Sequence, residues 1–139
     1  MSLDANKAIA RRFIEEVWNG GDLSLGEQLL APALINHDPD GRTTDRAGFL
    51  AFIRQTRSEL PDIRFTIDDM IAEGDRVATR VTITANPSGS GKASVAAEQP
   101  DTWTGIGIIR VVDGQIVEQW ANTDSTVAAP LGRPQPQPE

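Results

Sequence analysis

The sequence predicts an α+β domain in which three N-terminal helices pack on one face of a curved antiparallel sheet. Apolar residues repeat at helical spacing in the first part of the chain and at every second position after Pro61. Near the C-terminus, Asp113-Gly114 separates two apolar, β-rich runs, which is typical of a tight type I′ hairpin turn. With 139 residues, the chain is long enough to bury a core without metal or disulfide support.

Each predicted helix has one apolar face and ends close to a glycine or proline. The helices are predicted over residues 4–18, 24–30 and 45–60, with Thr44 or Asp45 as the cap of the third. Residues 32–43, between the last two helices, are rich in turn formers apart from a short apolar piece at 33–35. The predicted strands cover residues 63–67, 77–83 and the two arms of a hairpin over 103–124. Residues 86–101 are expected to form a mobile loop or a frayed hairpin end. We expect one domain over residues 1–129, followed by a proline-rich flexible tail over 130–139.

Composition limits the classes of function. The chain has no cysteine, which removes disulfides, thiolate metal sites and cysteine nucleophiles. Its net charge is −7, and no basic cluster interrupts the acidic surface, so nucleic-acid and membrane partners are not expected. No secretory signal or membrane-spanning run is visible, and we expect a cytoplasmic protein.

His37 is the only histidine, so a proton relay that uses imidazole near neutral pH must use it. It lies between Asn36 and Asp38. The same three residues are also favoured for capping and turning the chain through local hydrogen bonds. The pattern therefore leaves two interpretations open, an acid/base residue or a turn.

The last predicted strand carries polar side chains at every second position. Glu118, Trp120, Asn122 and Asp124 follow this spacing, and strict alternation places them on the same side as Ile116. This face is either exposed to solvent or lines a pocket. The indoles of Trp103 and Trp120 are either core residues or walls for an apolar ligand.

The sequence does not match the motifs of other catalytic sites. The segment Gly89-Ser-Gly-Lys92 lacks the first glycine and the final Ser or Thr of a phosphate-binding loop, and the nucleophile elbow of serine hydrolases is missing. One histidine with scattered carboxylates does not form a recognisable metal site. We expect no metal and no cofactor.

The order of several short motifs resembles SnoaL-like proteins of the NTF2-like superfamily, over roughly residues 5–132. The motifs are Phe13-Ile14 with Trp18-Asn19, Gly21-Asp-Leu-Ser, Leu30-Ala-Pro, Asn36-His-Asp-Pro39, Phe49 to Leu60-Pro-Asp62, Ile71-Ala-Glu-Gly-Asp-Arg-Val-Ala, and Asp113-Gly-Gln-Ile-Val-Glu-Gln-Trp120 to Asp124. The resemblance implies a cone in which a strongly curved antiparallel sheet wraps three helices around a deep apolar pocket. It also implies a homodimer through the outer sheet face.

The best-known activity of that family is ring closure in polyketide biosynthesis by intramolecular aldol condensation, without metal or cofactor. The family's acid/base aspartate falls at Ala121 in this chain and its histidine at Gly107, while its asparagine matches Asn36. The cyclase mechanism therefore does not carry over unchanged. The comparison also implies that Val117, Gln119, Ala121 and Thr123 face the pocket, with Glu118 and Trp120 outside or at an interface.

Three hypotheses follow. The first is a cofactor-independent cyclase or isomerase acting on a polyketide-like or other apolar carbonyl substrate, with His37 as acid/base and Asp124 as its orienting carboxylate or second proton carrier. Its substrate would contact Asn36, Gln119, Ala121, Trp103 and Trp120. The second is a protein that binds a small apolar molecule without chemistry, because Ala121 and Gly107 cannot transfer protons. The third is a dimerisation module without a ligand.

Overall fold

Three α-helices and one six-stranded sheet make up the described chain, and the predicted α+β class is confirmed. The computed structural model describes residues 2–86 and 101–124. The elements in chain order are α1 (Leu3–Arg12), α2 (Leu23–Leu29), β1 (Leu30–His37), β2 (Thr43–Thr44), α3 (Arg46–Glu59), β3 (Arg64–Glu73), β4 (Arg76–Ala85), β5 (Asp101–Val112) and β6 (Gln115–Thr123). Most of the predicted 86–101 loop and the whole predicted 130–139 tail lie outside the described residues.

The first helix changes its winding along its length. α1 begins after Ser2, whose hydroxyl accepts a hydrogen bond from the Ala5 N–H at 3.0 Å. From Phe13–Trp18 the chain continues as a π-helix, and the Asn19 N–H donates to the carbonyl of Ile14, five positions earlier. The single helix predicted over 4–18 is therefore two kinds of helix in sequence. Short π-helical turns are rare and often occur at functional sites.

The strands form one mixed sheet in the order β2-β1-β6-β5-β4-β3. β1 is parallel to β6, whereas the other pairs are antiparallel. The prediction of turn formers over residues 32–43 was wrong for much of this segment, because it supplies most of β1 and the first residue of β2. Pro32 lies in β1 where its pairing with β6 is interrupted, between Leu30 and Ile35. A proline cannot donate to a ladder, so it is tolerated at this irregularity.

The predicted type I′ turn is confirmed in the β5–β6 hairpin. Asp113 and Gly114 both have positive φ, 51° and 80°. Such a turn requires the left-handed region at both positions. Glycine adopts this region freely and aspartate tolerates it, so the dipeptide accounts for the local geometry.

A β-bulge in β6 changes which residues of the strand face the helices. Arg110 pairs with Glu118 and Val111 with Ile116, so Val117 has no pairing partner in the register. Ile116 is fully buried, but further along β6 the residues Gln119, Ala121 and Thr123 line the cavity, together with Asn122 near the end of the strand. The prediction that Glu118 and Trp120 share the side of Ile116 was wrong, because strict alternation does not continue through a bulge. The alternative drawn from the resemblance, with the odd-numbered set inward, holds for Gln119, Ala121 and Thr123.

The helices pack against the concave side of the sheet. α1 with its π-helical turn supplies Ala10, Phe13 and Val17 to the main core, and α3 supplies Phe49 and Ile53. A second apolar cluster around Ile83 and Trp103 continues the core towards the start of β5. In the described part of the chain, no helix is long and apolar enough to cross a membrane.

Candidate functional site

A largely apolar cavity lies between the helices and the inner face of the sheet. Its volume is about 140 Å³. Aromatic rings form much of the helical wall: Phe13 stacks on Phe49 with ring centres 5.8 Å apart, and Trp18 lies 4.6 Å from Phe65. The π-helical turn places Phe13, Ile14 and Trp18 together on this wall. Such a site favours an apolar ligand.

Polar groups are concentrated where β1 and β6 run side by side. Asn36 pairs with Gln119 in the register and is 5% exposed. Its Oδ1 accepts a hydrogen bond from Nε2 of Gln119 at 2.9 Å. Its Nδ2 donates to the Oγ1 of Thr44 at 2.9 Å and to the Oδ1 of Asp38 at 3.2 Å. Asn36 therefore holds Gln119 and Asp38 in fixed positions at the edge of the cavity.

Gln119 has hydrogen-bonding capacity left for a ligand. An amide nitrogen carries two hydrogens, and one of them is used on Asn36. The second N–H is left for an oxygen in the cavity, which Gln119 lines. Asn36, in contrast, uses its amide nitrogen and its oxygen within the protein. Gln119 is therefore the better donor to a ligand, and Asn36 positions it.

Asp38 is the carboxylate that lines the cavity among the described residues. Burial is the main cause that raises its pKa above the ordinary value of 3.8, and the nearby carboxylate of Asp40 raises it further. The hydrogen bond from Asn36 and the charge of Arg42 act in the opposite direction without cancelling the shift. A carboxylate with a raised pKa beside an apolar cavity is a better proton acceptor than an exposed one.

His37 borders the cavity, and its imidazole is bound to the convex side of β6. The Nε2 of His37 lies 2.7 Å from the Oε2 of Glu118. Because a carboxylate only accepts, this nitrogen carries the hydrogen. The ring stacks on Trp120, with ring centres 4.9 Å apart and planes 2° from parallel. Glu118 also accepts a hydrogen bond from the Arg110 guanidinium at 3.2 Å.

The other predicted site residues lie in the cavity, on the outer side of β6 or in the second apolar cluster. Asn36, Gln119 and Ala121 line the cavity together with His37. Trp120 lies outside it, beside His37 and with the Arg76 guanidinium 5.3 Å from its ring centre. Trp103 is buried in the second apolar cluster, and no described residue pairs with its indole N–H.

The hydrogen bond of the His37 imidazole is to Glu118, whereas Asp124 was its predicted partner. Asp124 follows β6, where its backbone N–H donates to the carbonyl of Thr104 at 2.8 Å. The catalytic roles assigned to His37 and Asp124 stay predictions. Within the described residues, no group of three or more His, Asp and Glu is arranged to hold a metal ion.

Asp38 and Thr79 are polar residues of the cavity wall that were not predicted as site residues from the sequence. The signal for Asp38 was present: once residues 30–37 are a strand, alternation places Asp38 on the side of Asn36. Thr79 occupies an inward position of β4 and gave no signal of function, because threonine is common in strands.

The sequence matches a known protein family. The model of the SnoaL-like polyketide cyclase family matches residues 8–129. A comparison with curated proteins finds no match.

Solved structures show the same fold at moderate sequence identity. IdmH from Streptomyces antibioticus, a proposed polyketide cyclase, is 30% identical, has a TM-score of 0.75, and the match covers 92% of this chain and 99% of that chain. AclR from Streptomyces galilaeus, a proposed hydroxylase, is 25% identical with a TM-score of 0.76, over 98% of this chain and 87% of that chain. A proposed polyketide cyclase from Acidithiobacillus ferrooxidans is 27% identical with a TM-score of 0.73, over 90% and 92%.

Proposed function

This chain belongs to the SnoaL-like polyketide cyclase family, and on that basis we propose that it binds an apolar carbonyl compound in its cavity and moves a proton on it without a cofactor. The observation that carries the proposal is Asp38, a carboxylate of raised pKa on the wall of an apolar cavity. The reaction would be a cyclisation or isomerisation of a polyketide-like or related substrate.

The chemistry common to these reactions is enolisation. The Asp38 carboxylate takes a proton from the carbon next to the substrate carbonyl, and the electron pair of the broken C–H bond moves to the carbonyl oxygen. The free N–H of Gln119 donates to that oxygen as its charge develops. In an isomerisation, the proton returns at another carbon. In an aldol cyclisation, the enolate carbon attacks a second carbonyl of the same molecule, and the new alkoxide takes the proton back from Asp38.

The surroundings of Asp38 support this role. Asn36 bonds to one carboxylate oxygen and holds the group in place. The raised pKa brings the carboxyl nearer to the range in which a base is efficient at neutral pH. The apolar walls exclude water, which strengthens the interaction between Gln119 and a developing negative charge.

A second candidate is a protein that binds the same kind of ligand without chemistry. The observation that favours it is the inner face of β5 and β6, where Gly107 and Ala121 pair with each other in the register and carry no acid or base. The family resemblance places a histidine and an aspartate at these positions. Under this candidate, Asp38 only binds the ligand.

The experiment is deuterium exchange on a ketone probe. Benzylideneacetone has an acidic methyl group beside its carbonyl, and incorporation of deuterium from D₂O is followed by NMR. We expect the protein to accelerate exchange and Asp38→Asn to lower the accelerated rate by about a hundredfold or more. Glu73→Gln, which changes an exposed carboxylate at the end of β3 away from the cavity, is the control and keeps the activity.

The stability of Asp38→Asn separates a functional role from a structural one. A carboxyl whose pKa is higher in the folded state binds more protons there, so it lowers stability as pH rises from its ordinary range through the raised value. Removing its charge at neutral pH therefore leaves Tm unchanged or higher. Loss of exchange with such a Tm supports the proposal.

Other outcomes decide against it. Binding of the ketone without exchange by the unmodified protein favours the second candidate. Exchange that survives in Asp38→Asn but is lost in His37→Ala or Asp124→Asn returns the acid/base role to the residues predicted from sequence.

A further inference from the structure

One cross-strand row of the inner sheet face carries almost no side chains. Thr79 on β4 pairs with Gly107 on β5, and Gly107 pairs with Ala121 on β6. All three line the cavity. Across β5 and β6 the row therefore offers a hydrogen atom and a methyl group, and a ligand can lie flat against the backbone there.

Thr79 closes this row on β4 with a hydroxyl group. The residue is 6% exposed and lines the cavity, so a ligand there can reach its hydroxyl group. A hydroxyl group can both donate a hydrogen bond and accept one. The Thr79 hydroxyl is therefore a second hydrogen-bonding point in an otherwise apolar region.

The two polar points, Thr79 and Gln119, lie in neighbouring rows and on strands at either side of β5. The neighbouring row contains Val77, Ile109 and Gln119, with Asn36 beyond them on β1. Strands are spaced about 5 Å apart and residues two positions apart on one strand by about 7 Å, so the backbones of Thr79 on β4 and Gln119 on β6 are separated by about 12 Å. A ligand that reaches both must be elongated and must carry polar groups near its two ends.

We infer that Thr79 and the bare surface of Gly107 and Ala121 form a specificity subsite for the distal end of a flat, elongated ketone. The inference rests on the proposed function for the presence of a carbonyl ligand in the cavity. The carbonyl group lies at Gln119 and Asp38, the planar part covers Gly107 and Ala121, and a distal hydroxyl or carbonyl group bonds to Thr79. Ketones that lack the distal polar group cannot form the hydrogen bond to Thr79 and bind less tightly.

Gly107 can be changed without disturbing the sheet, which makes the bare row testable. A Cβ added there meets the Trp120 carbonyl oxygen at 3.4 Å and the Ala121 Cβ at 3.9 Å, which are ordinary contacts. A Cβ at Gly105 is more crowded, at 3.0 Å from the Thr123 methyl group and 3.1 Å from the Asn122 carbonyl oxygen. Gly107→Ala therefore adds a methyl group to the floor of the cavity at little cost to folding.

The experiment compares two ketones that differ in one hydroxyl group, benzylideneacetone and its para-hydroxy derivative. Dissociation constants are measured by tryptophan fluorescence and NMR titration at millimolar ketone. We expect the unmodified protein to bind the hydroxylated ketone about fivefold more tightly. Thr79→Val, which has the same shape without the hydroxyl, makes the two affinities equal. Thr104→Val is the control, because it makes the same change at an exposed position of β5.

Gly107→Ala is expected to weaken both ketones while Tm stays within a few degrees of that of the unmodified protein. Equal affinities in the unmodified protein, or a preference that persists in Thr79→Val, would overturn this subsite. Absence of binding by either ketone would overturn it together with the proposed function. Asp38→Asn is expected to abolish exchange but to keep the preference, so a failure of the chemistry and a failure of the subsite are distinguishable.

Discussion

Asp38 has a local role and a role in the cavity at the same time. Its backbone N–H donates to the carbonyl of Arg42 at 2.8 Å, and its own carbonyl accepts from Gly41 at 3.0 Å, so the chain turns here. The carboxylate of the same residue lines the cavity beside Asn36. The two interpretations of this segment, turn former and site residue, are compatible because one uses the backbone and the other the side chain.

His37 and Arg110 both donate hydrogen bonds to Glu118, so the contribution of Glu118 to stability depends on pH. The hydrogen bond from His37 is the main cause that holds the pKa of Glu118 below its ordinary value of 4.5, and the bond from Arg110 adds to it. A carboxyl whose folded-state pKa is lowered contributes stability above its ordinary pKa and loses this contribution as pH falls through the lowered value.

We therefore predict that Glu118→Gln lowers Tm near neutral pH and that the difference from the unmodified protein shrinks below about pH 4. Thermal unfolding followed by circular dichroism at several pH values measures this. Glu73→Gln removes an exposed carboxylate at the end of β3 and serves as the control, with little change at any pH. A difference in Tm that is constant with pH would show that the ion pair does not contribute.

At the scale of elements, the junction between the π-helical turn and β3 depends on one amide side chain. The Nδ2 of Asn19 donates to the Phe65 carbonyl at 2.9 Å, and its Oδ1 accepts from the Phe65 N–H at 2.7 Å. Arg57 from α3 donates to the carbonyls of Trp18 and Asn19, at 2.6 and 3.0 Å. These bonds hold the end of the helix against the sheet, where Trp18 and Phe65 line the cavity.

We predict that Asn19→Ala destabilises the protein by about 2 kcal/mol, because both backbone groups of Phe65 lose their partner. Urea unfolding measures the change. Gln55→Ala is the control, since the bond from Gln55 to Glu59 is exposed on α3 and its loss costs little. A similar small effect of both substitutions would mean that water replaces the Asn19 amide.

The elements also show where prediction from sequence worked and where it failed. The sequence predicts a third helix that is capped by Thr44 or Asp45 and ends before Pro61. The structure confirms the helix and places the cap at Asp45, whose side chain accepts from the Gly48 N–H at 2.8 Å. β1 was missed, because Pro32 and the turn formers after it outweigh a short apolar run. Its pairing with β6, which is distant in sequence, supplies the hydrogen bonds that local propensity does not predict.

At the scale of the whole molecule, dimerisation through the outer sheet face stays a prediction from the family resemblance. Ile71 and Ile106 are 69% and 55% exposed, on strands whose inward residues face the helices. Exposed isoleucines on a sheet face are compatible with a second copy packing there.

We predict that Ile71→Asp shifts the protein towards the monomer in light scattering after gel filtration, because a buried charge in the interface is costly. Leu3→Asp is the control, since Leu3 is similarly exposed at 45% but lies on α1, away from the outer sheet face. A monomeric unmodified protein, or the same mass for both variants, would contradict the predicted dimer.

The sequence by itself determined the α+β class, the three helices, the β3, β4 and hairpin strands and the Asp113-Gly114 turn, because periodicity, capping and turn chemistry act over short distances. It also identified Asn36 and Gln119 as cavity residues through the family resemblance. Only the tertiary structure decided that His37 binds Glu118, that Asp38 lines the cavity with a raised pKa, and that Thr79, Gly107 and Ala121 lie in one cross-strand row. These relations depend on the parallel pairing of β1 with β6, on the antiparallel pairing of β4 with β5 and of β5 with β6, and on a β-bulge. All arise from pairing between separate segments, which one-dimensional patterns do not encode.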